Sequence, residues 1–551
     1  MKHPAEVVEL NEQELAAVLE RARRQPLSEP DYQKLKSLIE TLSYLTRMIE
    51  RGRMSLRRMR QMLFGAKTEK TQKILPPGQT PTAAVSGSPV PNSTPSEQTS
   101  AEAGGQRKAK GHGRNGAAQY TGGKRIEIPH PSLKAGQGCP ECLKGKLYSS
   151  MEPGRLVRLI GQAPIGATVW ELEKLRCNLC GEVYTAEAPA EVGPEKYDAT
   201  SAAMIAMLKY GSGMPFNRLQ GLQGNLGIPL PASTQWEIVA ETADKIVPVF
   251  DELVQQAAQG EVLYNDDTTV KILAMMKERV EQETAGNDQE RTGMFTSGIV
   301  SVQEGRRIAL FFSGHRHAGE NLTEVLQHRA AGLVPPIQMC DALLRNLPKE
   351  FTVVLANCMA HARRKFVEVA PAFPGECRYV LETLKTIYNN DEVAGTQKMT
   401  AAERLLFHQT ESGPVMEDLH QWLRDQIEQH LVEPNSTLGG AISYLKDHWK
   451  PLTLFLQTAG APLDNNLCER ALKKAILHRK NALFYKTRNG ARVADLFMSL
   501  IYTCQLSGVN PFDYLTELQR HAEKLPDHPK SWMPWNYRET IQAAPSYESS
   551  A

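Results

Sequence analysis

The spacing of apolar positions divides this chain into stretches of different texture. Between residues 30 and 65, Leu35, Leu38, Leu42, Leu45, Ile49, Leu56, Met59 and Leu63 keep a three-four spacing, broken only where Gly52 takes a seam position. That period predicts one long helix with a coiled-coil seam. Residues 198 to 258 repeat a helical period through DATSAAMIAMLKY, PFNRLQGLQGNLG and ASTQWEIVAETADKIVPVFDELVQQAA. Short helices joined by GIPLPAST resemble a helix-turn-helix with Ser233 as the cap; a helical spacer is the other reading. From Glu261 the period changes. EVLYND reads as a strand with TVKIL as its continuation, and GMFTSGIVSV and RRIALFFSG as further strands. GENLTEVLQHRAAG reads as a helix, PPIQMCD and FTVVLANC as short apolar strands, and HARRKFVEVA as a helix. Strands first, then strand alternating with helix, predict a mixed α/β sheet. Residues 370 to about 455 return to a helical period and read as an insertion.

Composition narrows the picture. A chain of 551 residues is too long for one core. A net charge of +2 names no partner, but the basic residues are clustered, and clusters set the field a polyanion meets. No apolar run approaches a membrane span, and MKHPAEVVELNEQEL lacks the order of a signal peptide, so a cytoplasmic protein is expected. Residues 76–123 are rich in Pro, Ser, Thr, Gly and Ala and predict a flexible linker. Its basic end, QRKAKGHGRNG, suits a phosphate backbone or a plain solubilising tail. The second half of the N-terminal seam carries Arg47, Arg51, Arg53, Arg57, Arg58 and Arg60. A dimerising helix that touches DNA, and a seam packed within its own chain, both account for it.

Nine cysteines are sparse and odd in number, which argues against a disulfide framework. Four of them form the pairs Cys139-x-x-Cys142 and Cys177-x-x-Cys180. Two such pairs supply a tetrahedron of thiolates for one structural zinc, closed to substrate.

The densest chemistry runs from Leu463 to Phe484, LDNNLCERALKKAILHRKNALF. Asp464 and Glu469 stand at the mouth of a helix, followed by Arg470, Lys473, Lys474, His478, Arg479 and Lys480. Carboxylate oxygens hold hard cations and Lys or Arg holds phosphates, so the run suits metal and polyanion at one place. Glu469 shares a helix face with Leu472 and Ile476, which should be buried. Asn466-x-x-Glu469 is also a capping-box pattern, which alone would account for Glu469. Two further acids, Asp266 after EVLYN and Asp341 after PPIQMC, end expected strands, where α/β sheets place ligands.

These residues resemble the transposases of the insertion sequence 66 family. NDDTTVKIL is similar to the family's first-aspartate motif, usually Asp-Glu-Thr-Pro-Val. CMAHARRKF, at 358–366, is similar to its Ala-His-Ala-Arg-Arg block, and the run at 463–484 to its glutamate motif. LFGAKTEK, GHGRN and the paired cysteines follow the family's order, so the resemblance covers about residues 30–515. Asp267 stands where the family usually has Glu, and Thr269 where it has Pro. Asp341 lies in MCDALLRN instead of the usual Asp-Gly-Tyr setting.

The resemblance implies an RNase H-like catalytic core with Asp266, Asp341 and Glu469 as a D-D-E triad holding two Mg2+ ions. It implies cleavage at transposon ends and strand transfer into target DNA. Lys473 is the first candidate for a phosphate contact, with Arg479 and Lys480 next. Arg363 and Arg364, with His361, are candidates for positioning DNA, and Arg57 and Arg58 for touching it. A nuclease or resolvase on the same fold, and an inactive DNA-binding descendant, are the alternatives. The expected layout is a helical region at 1–75, linker 76–123, zinc module 124–192, and a helical DNA-binding region at 193–260. The catalytic core begins at 261–369, is interrupted by the insertion at 370–455, and resumes at 456–515 with the glutamate helix; a tail follows at 516–551. Expected partners are double-stranded DNA, a second copy or more of the chain, and small accessory proteins of the element. No membrane is expected, and the chain should be nucleoid-associated.

Overall fold

The computed structural model describes stretches between residues 131 and 192, then residues 195–284 and 293–543. In chain order it holds β1 (Lys174–Arg176), β2 (Val183–Thr185), α1 (Ala199–Ala206), α2 (Phe216–Asn225), α3 (Ala232–Ala257), β3 (Val262–Thr269) and α4 (Leu273–Thr284). Next come β4 (Phe295–Gln303), β5 (Arg306–Gly314), α5 (Ala318–Leu326), β6 (Ile337–Cys340), β7 (Val354–Asn357) and α6 (Met359–Val369). The helical stretch follows as α7 (Pro374–Thr396), α8 (Ala401–Phe407), α9 (Gly413–Glu428), α10 (Thr437–Asp447) and α11 (Trp449–Leu452). The chain ends with α12 (Asn466–Ala482), α13 (Arg488–Leu506), α14 (Pro511–Arg520) and α15 (Tyr537–Ala543). This is a mixed α/β protein with both antiparallel and parallel strand pairs.

The chain forms two compact units. One assembles the described chain as far as Val334, Arg345–Thr352 and everything from Asn466. Its strands β3, β4 and β5 form an antiparallel meander. Along β4 and β5, the buried Ile299, Val300, Leu310 and Phe311 build the core with Leu253 of α3 and Phe497 of α13. Helix α3 earns its place through a stripe at three-four spacing, Val239, Ala243, Ile246, Val249 and Leu253. Pro231 stands at its N-cap and Ser233 lies inside the helix, so Ser233 is not the cap that the sequence suggested. TVKIL does not extend β3 either: Ile272 makes an isolated bridge to Tyr485, and α4 begins at Leu273.

Helix α13 covers the outer edge of β5. Thr503 Oγ1 accepts from Ala309 N at 3.0 Å, Ser499 Oγ from Phe311 N at 3.0 Å, and Asp495 Oδ2 from Ser313 N at 2.7 Å. Alternate backbone donors of the strand meet side chains one helical turn apart. An edge that would otherwise pair with another chain is closed. Residues read as a tail are folded as far as Ala543, with Leu518, Trp532, Met533 and Tyr537 buried.

The other unit holds Pro335–Leu344 and Val353–Asn465. In it β6 and β7 pair in parallel, with Cys340 opposite Asn357. Helix α6 follows β7 directly, and α7 and α10 pack against it through buried Phe366, Leu384 and Ile442.

Candidate active site

Asp266 does not end its strand. β3 continues to Thr269, with Asp266 opposite Gly298, Thr268 opposite Thr296 and Thr269 opposite Phe295. The β-branched threonines keep the ladder going because β4 supplies partners for them. Residues opposite one another in an antiparallel pair project from the same face. A Cβ built on Gly298 would lie 3.0 Å from Leu472 and 3.4 Å from Cys468, both on α12. Asp266 therefore projects from the sheet face that α12 covers. The contact is close because Gly298 has no side chain, and the Cys468 thiol donates to the Gly298 carbonyl at 3.3 Å.

Glu469 follows Cys468 and is half-buried in the first turn of α12, where the helix dipole favours an acid. Leu472 is buried and Ile476 half-buried. Asn466 is the first helical residue of α12.

Asp267, one residue on from Asp266, faces the other side of the sheet. Its side chain is 2 % exposed and meets His317 Nδ1 at 2.8 Å and Arg345 Nη2 at 3.3 Å. The Phe295 ring lies 4.2 Å from that of His317. Nothing in the sequence flagged His317 or Arg345, which come from segments well downstream of β3.

The basic residues of α12 divide by role. Arg479 donates to Thr268 Oγ1 at 3.0 Å and to Thr269 Oγ1 at 2.6 Å, and also reaches the Thr269 carbonyl. Read from sequence as a phosphate contact, it ties α12 to the end of β3. Lys473 and Lys480 are exposed. His478 is buried, stacked on Tyr485 with ring centroids 4.6 Å apart. Burial, and then the Lys209 charge, push its pKa down to about 3, so it is neutral.

Asp341 belongs to the other unit and directly follows β6, as its sequence setting suggested. It is half-buried, and its Oδ1 accepts from Leu343 N at 3.2 Å. Tyr444 of α10 lies beside it; burial and then the Asp341 charge push the phenol up to about 12. In the same unit burial, and then the Asp464 charge, push the Tyr388 phenol well above its usual range, with Arg363 acting against them. Arg363 and His361 are half-buried on α6 and Arg364 is exposed.

One arrangement imitates a hydrolase triad. His408 meets Ser412 Oγ at 2.9 Å and Asp391 at 3.3 Å. Both His408 and Ser412 are 0 % exposed, so no substrate reaches the hydroxyl, and Asp391 also binds Arg404 at 2.6 Å. The cluster holds the insertion together.

Cys139, Cys142, Cys177, Cys180, Arg57 and Arg58 lie outside the described residues, as does the N-terminal seam. Strands β1 and β2 pair antiparallel, with Arg176 opposite Val183. Among the described residues no helix is long and apolar enough to cross a membrane.

An acidic strand beneath a helix that carries both acid and base suits chemistry on a polyanion. The chain belongs to the Transposase IS66 family, whose sequence model matches residues 196–493. It is similar to two proteins of Sinorhizobium fredii. Uncharacterized protein y4jD is 24 % identical over 526 residues, spanning 91 % of this chain and 98 % of the relative. Uncharacterized protein y4hP is 26 % identical over 405 residues, spanning 67 % of this chain and 68 % of the relative.

Proposed function

We propose that this transposase cuts DNA at the ends of a mobile element and joins the freed strand to target DNA, with Asp266, Asp341 and Glu469 acting together. The observation that supports this most is the seat of α12 on Asp266's face of the sheet, made close by Gly298. Chain order adds support for an RNase H-like core: three antiparallel strands, then two parallel ones, then the glutamate helix.

The acids fit divalent cations. All three side chains offer hard oxygen donors. Asp266 is half-buried and projects from the sheet face that Leu472 and Cys468 of α12 cover. Magnesium, when bound, supplies Lewis-acid activation of the phosphodiester. The protein's role is geometry and charge. Arg479 holds α12 against β3, and Lys473, one turn beyond Glu469, meets the phosphate backbone. Helices α2 and α3 are the candidate DNA-binding pair, and the four thiolates of Cys139, Cys142, Cys177 and Cys180 hold a structural zinc. Two DNA ends must be paired, which calls for a dimer or larger assembly.

The test is a magnesium-dependent cleavage and joining assay with duplexes that carry the element's ends. Asp266→Ala, Asp341→Ala and Glu469→Ala should each abolish cutting and joining and retain end binding. Full cutting by any one of them removes that residue from the site.

A further inference from the structure

Helix α12 ends on an apolar tip that the fold does not require. Leu483 adopts φ +69°, the left-handed conformation in which glycine usually ends a helix. Its N–H still closes onto Arg479 O at 2.9 Å, so a glycine here would end the helix with less strain. Leu483 is nevertheless 64 % exposed, and the adjoining Phe484 43 %. Two large apolar side chains thus stand in solvent, side by side in sequence.

The tip is held firmly from both sides. Tyr485, the next residue, is buried against His478. Its N–H donates to Lys271 O at 2.8 Å and its carbonyl accepts from Leu273 N at 2.9 Å. Ala274 N donates to Lys486 O at 3.2 Å. A tip fixed at both ends loses little freedom on binding. The surroundings are basic: Lys480 and Lys486 flank the tip and are exposed.

We infer that the Leu483–Phe484 tip receives an unpaired nucleobase at a DNA end, Phe484 stacking on it and Leu483 wedging against the last base pair. This rests on the transposase reading and adds base contact to it. The charge complementarity selects a polyanion, and a paired duplex offers backbone charge but no unpaired base that can be taken out of the stack. An opened end offers both. Aromatic stacking on unpaired bases and apolar wedges at base steps are general modes of nucleic-acid recognition.

The experiment uses the full-length protein and three fluorescent probes: a blunt duplex, the duplex with a short single-stranded thymine overhang, and the same overhang made abasic. The protein should bind the thymine overhang about tenfold tighter than the abasic one. Phe484→Ala should erase that preference and keep the affinity for the blunt duplex, and Phe484→Trp should retain it. Thermal melting checks that the variants are folded. Binding without preference in the parent protein, or a preference that survives Phe484→Ala, overturns the inference and leaves the transposase reading standing. Failure to bind any probe overturns both.

Discussion

The Cys468 thiol donates to the carbonyl of Gly298 across 3.3 Å, and that contact fixes the glutamate helix over the strand that carries Asp266. Gly298 is the residue that permits it, since a Cβ there would meet Leu472 at 3.0 Å. Gly298→Val should cost about 1–3 kcal/mol through overpacking. It should lower cleavage about a hundredfold beyond that by displacing Glu469. Gly298→Ala should be milder, and Leu472→Ala in that background should recover cleavage. Cleavage rates set beside urea denaturation separate the two effects.

Arg479 and Lys473 should respond differently to truncation. Arg479 is bonded to Thr268 and Thr269, so Arg479→Ala should lower both stability and cleavage and leave the salt dependence of DNA binding unchanged. Lys473 is exposed, so Lys473→Ala should reduce the slope of log affinity against log salt by about 1. Binding titrations over a salt series check both.

The strap of α13 on β5 should be costly to break. Ser499→Ala leaves the buried Phe311 N–H without its acceptor, at a cost of about 1–3 kcal/mol. Thr503→Val should do the same to Ala309. Chemical denaturation of the single variants gives the values, and a cost near zero would mean that the strand edge finds other partners.

Two buried groups should pull stability in opposite directions with pH. Burial raises Asp495 from 3.8 to about 7, against the hydrogen bonds from Ser313. Its contribution is full below 3.8 and is lost as pH rises through about 7. His478 is lowered from 6.5 to about 3, so its contribution is full above 6.5 and is lost as pH falls toward 3. Between roughly pH 4 and 6.5 the two slopes oppose each other. Asp495→Asn should make stability rise with pH over that window, and His478→Phe should make it fall. Melting temperatures across the window decide, and parallel slopes in the two variants would contradict the assignment.

Local pattern made much of the fold legible. The helical period of 370–455, the short strands before Asp341 and Cys358, and the base-loaded helix after Glu469 all follow from spacing alone. The misreadings have long-range causes. VKIL has the composition of a strand, but Tyr485 bridges Ile272 and the chain turns into α4. The bonds of Arg479 to two threonine hydroxyls of β3 likewise depend on residues more than two hundred positions away. The sequence does carry one signal of such contact: an isolated glycine inside a strand, here Gly298, marks close approach by another element. Asp495, Ser499 and Thr503, four residues apart in an apolar helix, were a second, a polar stripe with no solvent to face.

The central claim is that Asp266 and Glu469 serve one reaction. It is tested most directly by strand cleavage with Asp266→Asn and Glu469→Gln, which keep size and remove charge, on end-bearing duplexes in magnesium. Both variants should bind DNA as the parent does and cut none of it, and the double variant should be no worse than either. Cutting by either variant at a rate near the parent's would contradict the account.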